Sequence, residues 1–238
     1  MKKIICIIVL VTPFFSFGQN HVEELYNWFD EKIGFENVNI HQGSEYKKKQ
    51  RSVNGEHSFF KSSEFVKGAI FYQGEKYSNV YFKYDLYEQK LIVRFHELSS
   101  TGVTIQLFNN NVKRFNLHNT PFVWVESTDV KGKSISGFFE EAYSAPSLKL
   151  LIKISKHKKE VAYNGRMLAE YKKNRNEYFL WYKNQYTKIK SKKNIINILP
   201  SLKKQVNSFY RKHASLRKKN YTLFLAELSR ELVKNNNL

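Results

Sequence analysis

The longest regular pattern of apolar and polar positions lies in residues 67–96, KGAIFYQGEKYSNVYFKYDLYEQKLIVRFH, and its period is two. Val80, Phe82, Tyr84 and Leu86 fall on one face and Tyr81, Lys83, Asp85 and Tyr87 on the other. Further on, Leu91, Val93 and Phe95 alternate with Ile92, Arg94 and His96. The pairs Gln73-Gly74 and Glu88-Gln89 separate three apolar-rich runs, which predicts an antiparallel meander. Its first run, 69–73, is apolar on both faces and suits an interior strand.

The same texture continues downstream. Val103, Ile105 and Leu107 alternate with Thr104 and Gln106, Asn109-Asn110-Asn111 turns the chain, and 112–117 returns. His118-Asn119-Thr120-Pro121 turns it again into 122–126. Residues 135–143 predict a further strand with Gly137 as a bulge or bend. Leu148, Leu150, Ile152 and Ile154 alternate with Lys149, Lys153 and Ser155 in the clearest strand of all. Residues 156–176 are polar and charged and read as an exposed hairpin loop, while 178–182 and 186–189 predict a last hairpin. A strand every ten residues or so predicts about ten antiparallel strands in a strongly curved or barrel-like sheet.

The period changes at both ends. Val22, Leu25, Trp28, Phe29 and Ile33 have helical spacing and Gly34 offers a stop, which predicts a short helix over 21–33. Residues 37–55 turn polar and read as a loop or an edge strand. Beyond Ser191, which can cap a helix, Ile195, Leu199, Leu202, Val206 and Phe209 recur at spacings of three and four. Pro200 should split that helix. A final helix over 221–233 brings Leu225, Leu228 and Leu232 together. The expected fold is therefore α+β: a mainly antiparallel sheet, a short N-terminal helix, and a C-terminal helical pair packed on the sheet. Residues 19–238 form one domain, with a soft boundary near Ser191.

Residues 1–18 read as a secretory signal peptide: Lys2 and Lys3, an apolar core over 4–15, then Ser16-Phe17-Gly18 as a small-residue cleavage site before Gln19. The apolar run is short of the ~20 residues a spanning helix needs. No later run reaches that length. Cys6, the single cysteine, lies within this signal, so the mature chain has neither a disulfide framework nor a cysteine-ligated metal site. Localisation in the periplasm, at the outer membrane or outside the cell follows.

Charge then singles out one region. The net charge is +19, and loss of Lys2 and Lys3 leaves +17. Residues 183–219 hold twelve Lys or Arg and no Asp or Glu. Such a stretch favours anionic partners, although lysines also serve simply to keep helices solvated.

Motifs of known chemistry are absent from the sequence. The seven histidines show no metal-ligand spacing, although strand pairing could bring His96 and His118 together. Neither a nucleophile elbow nor a phosphate-cradling glycine loop occurs. Glu140-Glu141, in the aromatic strand GFFEEAY, must send one carboxylate to each face; an inward one would have a raised pKa and could act as an acid. The plainer role is pairing with Lys149 or Lys153. Tyr182, Tyr186, Phe209, Tyr210 and Tyr221 lie among lysines as nucleic-acid stacking platforms would, but an exported chain meets anionic envelope surfaces instead.

Four segments together, Phe17-Gly18-Gln19, KGAIFYQGEKYSNVYFKYDLYEQKLIV, SGFFEEAY and YFLWYKNQYTKIKSKKNIINIL, resemble a group of exported Bacteroidota proteins with no assigned activity. The resemblance implies export to the envelope and a sheet followed by helices, and it carries no catalytic residues. The expected function is a non-enzymatic binding or assembly module without cofactor. Its contact surface is Lys188, Lys190, Lys192, Lys193, Lys203, Lys204, Arg211, Lys212, Arg217, Lys218 and Lys219. Its partner is lipopolysaccharide, an anionic lipid, an acidic glycan or an envelope protein. The alternatives are a carrier with an aromatic-lined cavity and a hydrolase using Glu140 or Glu141.

Overall fold

The computed structural model describes residues 39–47, 51–95 and 103–236. The expected signal peptide over 1–18, the helix expected over 21–33, and His96 with its proposed approach to His118 lie outside them. A three-residue strand, β1 (Gly43–Glu45), opens the described chain, so the polar segment does contain an edge strand. The meander follows as β2 (Val66–Tyr72), β3 (Glu75–Asp85) and β4 (Lys90–Phe95). Gln73 and Gly74 take φ of 49° and 90°, the left-handed geometry of a two-residue turn whose twist suits a hairpin.

Downstream come β5 (Val103–Leu107), β6 (Val112–Leu117), β7 (Thr120–Thr128), β8 (Ser134–Ser144) and β9 (Leu148–Lys153). His118 and Asn119 make another tight turn, with φ of 52° and 58°, so Thr120 and Pro121 belong to the strand rather than to the turn. After β10 (Lys156–Tyr163) and β11 (Arg166–Lys173), the last hairpin is β12 (Glu177–Tyr182) and β13 (Gln185–Ile189).

Eleven of these strands form one antiparallel sheet in the order β1-β5-β4-β3-β2-β6-β7-β8-β9-β12-β13. This corrects the barrel-like expectation: β1 and β13 stand at opposite ends and do not pair, so the sheet is open. Part of the β13 edge is taken by the loop after β7, where Val130 N–H donates to the Tyr186 carbonyl at 3.2 Å. A loop across an edge strand hides backbone groups that would otherwise invite another chain.

The segment expected as an exposed hairpin loop is a hairpin, and most of it is strand rather than loop. Residues 156–173 pair with each other in full register as a separate two-stranded ribbon, β10 with β11, turned by Asn164-Gly165 at φ 48° and 72°. Asn-Gly is a strong hairpin signal. Its flanks are polar because most of the ribbon is exposed, with Ala169 the buried exception.

The C-terminus is four helical segments rather than a pair: α1 (Lys192–Ile198), α2 (Lys203–Lys212), α3 (Ala214–Lys219) and α4 (Tyr221–Asn236). Asn194 Oδ1 accepts from the Lys190 and Ser191 N–H groups, each at 3.0 Å, and fixes the start of α1. Pro200 opens a single 3-10 turn between α1 and α2, as its missing N–H and fixed φ favour. Asn220 accepts from Leu223 N–H at 3.0 Å and starts α4.

One apolar cluster joins sheet and helices. Leu148, Leu150, Leu180 and Ile189 of the sheet meet Ile195, Leu199, Val206, Phe209, Phe224 and Leu228 of the helical region. The boundary near Ser191 is thus crossed by a continuous core, and the helices gain their stability from it. The opposite face of these strands carries its own cluster, Val125, Ile135, Phe139, Leu151 and Phe179. Towards the meander, Tyr84 brings its ring to 5.2, 5.4 and 5.7 Å from Phe115, Phe122 and Phe138. Phe60 closes edge-on against Phe122 at 5.1 Å.

Gly137 is set by two constraints. Its φ is +118°, which an L side chain rarely adopts, and a Cβ there would collide with Lys153 Nζ. Gly137→Ala is expected to cost about 1–3 kcal/mol of stability by urea unfolding, from the backbone strain of its positive φ, since the Lys153 amine ends a flexible side chain that can move aside. A change below about 0.5 kcal/mol would contradict that.

Candidate functional site

Of the eleven basic residues, nine are exposed: Lys190, Lys192, Lys193, Lys203, Lys204, Arg211, Lys212, Lys218 and Lys219. They fall on the turn before α1 and on α1, α2 and α3. In α2, Val206, Phe209 and Tyr210 are buried, and the helical period puts 204 and 211 on the side away from them, while Lys203 and Lys212 are exposed at the two ends of the helix. Among the described residues, none of the nine has a carboxylate within salt-bridge distance.

Tyr210 ties separate segments together. Lys192 Nζ lies 5.6 Å and the Arg217 guanidinium carbon 5.4 Å from its ring centroid, so α1 and α3 each place a cation on a residue of α2. Ring and cation attract through the ring quadrupole. Burial, together with the neighbouring Tyr221, pushes the Tyr210 hydroxyl well above its ordinary pKa, so it stays neutral beside the two cations.

Lys188 does not join this surface. It sits in β13 opposite Phe179, whose side chain belongs to the cluster on the far side of the sheet, and it forms an ion pair with Glu177 at 2.5 Å. Period two sends it away from Ile189, which packs under the helices. That far side holds two more lysines over rings: Lys149 at 5.2 Å from Trp181 and Lys153 at 4.9 Å from Phe139. Burial pulls the Lys153 pKa down to about 8, with Glu177 opposing.

The paired carboxylates face opposite ways, as alternation requires. Glu140 is in register with Phe122 and Ile152; Glu141 is in register with Leu151, accepts from Ser144 Oγ at 2.8 Å and lies 4.0 Å from Lys149. Two groups on opposite faces of a sheet cannot flank one scissile bond. Burial raises the Glu140 pKa, and Lys61 and Lys173 oppose it.

A pH signature follows. Above its raised folded pKa, the wild-type protein bears the cost of a desolvated charge; below the unfolded value of 4.5 both states are protonated and the cost vanishes. Glu140→Gln should therefore raise the melting temperature at pH 7 and leave it unchanged near pH 3.5, where both forms are neutral. Equal melting temperatures of variant and wild type at pH 7 would refute this.

The residue that alternation misplaces is Asp85. Assigned to an outward face with Lys83 and Tyr87, it is 4% exposed. Residues 58–60 lie along the end of β3 and cover it: Phe60 N–H donates to the Tyr84 carbonyl at 2.8 Å and Leu86 N–H to the Ser58 carbonyl at 2.9 Å. Asp85 accepts from Ser58 Oγ at 2.5 Å and from the Tyr87 and Glu88 N–H groups at 2.8 Å. Around it stand Tyr46, whose pKa burial and the Asp85 charge push up to about 12, and Lys156, whose ammonium donates to the His57 carbonyl at 2.5 Å. Ser58 is itself buried and spends its proton on Asp85, so the group reads as a structural joint rather than a nucleophile.

Among the described residues, no group of three or more His, Cys, Asp or Glu stands close enough to hold a metal ion, and no helix is long and apolar enough to cross a membrane. Compared with known proteins, the chain matches no family model, no curated protein and no solved structure. What can be placed is the class: a mainly antiparallel open sheet with a helical C-terminal region.

Proposed function

We propose that this is an exported, non-enzymatic binding or assembly module of the cell envelope, akin to the exported Bacteroidota proteins it resembles. It engages an anionic partner through the basic surface of α1, α2 and α3. The observation that carries the reading is the set of nine exposed cations on that surface, none neutralised by a neighbouring carboxylate among the described residues. A surface of one sign raises the local concentration of phosphates or carboxylates and speeds encounter. Lipopolysaccharide phosphates, anionic lipid head groups and acidic glycans all present that chemistry. The signal-like segment 1–18 supports export.

The carrier reading finds less support. The aromatic side chains that would line a cavity, Phe60, Tyr84, Phe115, Phe122 and Phe138, pack on one another instead. Cosedimentation with lipopolysaccharide or anionic vesicles tests the proposal. Retention at low salt and release at high salt is the expected result.

A further inference from the structure

We propose that the β10–β11 ribbon is a second contact element, which inserts its tip into the interface of an anionic lipid bilayer. The inference rests on the reading of an anionic envelope partner and narrows that partner to a membrane surface.

The ribbon has an anchored base and a free end. From its foot to half-way along, Tyr171 N–H donates to Glu56 at 2.9 Å, the Tyr171 ring meets Tyr87 at 5.8 Å, and Ala169 N–H donates to the Arg51 carbonyl at 3.0 Å, which leaves the pairs from Val161 and Leu168 outward beyond these contacts. Nothing comparable holds the tip among the described residues. There Tyr163 and Met167 are 52% and 58% exposed, on either side of Asn164-Gly165, with the half-buried pair Val161 and Leu168 one step behind. Alternation puts Tyr163 on one face of the ribbon, with Val161 and Leu168 behind it, and Met167 on the other, so each face ends in an exposed apolar side chain.

Charge completes the pattern. Arg166 sits at the tip itself, Lys159 lies on the stem and Lys173 at its foot. The acids of the ribbon are spent along its own strands, Glu160 on Lys158 at 3.1 Å and Glu170 on Lys172 at 3.0 Å. An apolar tip below a collar of cations matches a bilayer interface, where acyl chains lie beneath anionic head groups and tyrosine favours the boundary. A soluble acidic glycan would reward the collar and leave the apolar tip in water.

The test uses Met167→Cys in a Cys6→Ser background, carrying an environment-sensitive fluorophore, with vesicles of phosphatidylcholine alone or with phosphatidylglycerol. Emission should shift to the blue only with anionic vesicles, and the double variant Tyr163→Asp and Met167→Asp should lose about tenfold or more in partitioning. Unchanged emission at saturating vesicle, or full binding by the double variant, overturns the insertion. Neutralising the helical lysines separates the two ideas. A blue shift that survives together with unchanged affinity keeps the ribbon and defeats the helical surface; lost binding with a tip that never shifted does the reverse.

Discussion

Asp85→Ala is expected to remove about 3–5 kcal/mol of folding stability, since each buried donor left without its acceptor costs about 1–3 kcal/mol. A domain of this size is stable by only about 5–15 kcal/mol, so the variant should unfold at a much lower urea concentration or fail to accumulate. Three donors lose their acceptor at once: Ser58 Oγ and the N–H groups of Tyr87 and Glu88. The loss also loosens a junction, because Leu86 N–H bonds to Ser58 and Lys156 N–H to the Leu86 carbonyl at 3.1 Å, which links the meander, residues 58–60 and the start of β10. Asp85→Asn keeps the shape and one acceptor oxygen and should cost less, about 1–2 kcal/mol. Urea unfolding of the three proteins decides it; a loss below about 1 kcal/mol for the alanine variant would mean that the carboxylate is not the joint described.

The second large effect concerns binding. Neutralising Lys193, Lys203, Lys204 and Lys212 together to glutamine should weaken association with an anionic surface by about three decades, at ~1 kcal/mol for each cation near such a membrane. These four are exposed and make no ion pair among the described residues, so the melting temperature should hardly move. Lys192 and Arg217 are left out because both pack on Tyr210, and their loss would confuse binding with folding. Lys188→Gln serves as a control: facing the other side of the sheet and paired with Glu177, it should leave affinity within a factor of about two. Wild-type affinity in the fourfold variant would remove the helical surface from the account.

Much of the sheet was legible because alternation is a local property. Residues 112–117 were read to the residue, and the Gln73-Gly74 turn falls where an amide residue and a glycine meet positive φ. Strand order was not legible, since it depends on pairings such as β1 with β5 and β9 with β12 that no local pattern encodes. The open sheet where a barrel was expected comes from that gap. Asp85 was misplaced for the same reason: its outward face is covered by a segment more than twenty residues away. Residues 156–176 were legible as an exposed hairpin but not as two eight-residue strands, because hydrophobic alternation signals burial and this largely exposed ribbon shows little of it.

The helical region divides similarly. Pro200 announces the first break, whereas the break at His213 has no glycine or proline to mark it, only a backbone turned to φ −109° and ψ 34° with the ring tilted against Phe209 at 4.2 Å. The basic run is plain in the sequence. Which lysines share a surface is not, and Lys188 shows why: one period-two step past the buried Ile189 carries it through the sheet.

The central claim is that the exposed cations of α1, α2 and α3 hold an anionic envelope surface. Its most direct measurement is the affinity of the purified protein for lipopolysaccharide and for phosphatidylglycerol vesicles, titrated from about 0.02 M to about 0.5 M salt, where the Debye length shrinks severalfold. The account predicts tight association at the low end and its steep loss at the high end. Association that never occurs at low salt, or that persists unchanged at high salt, would contradict it.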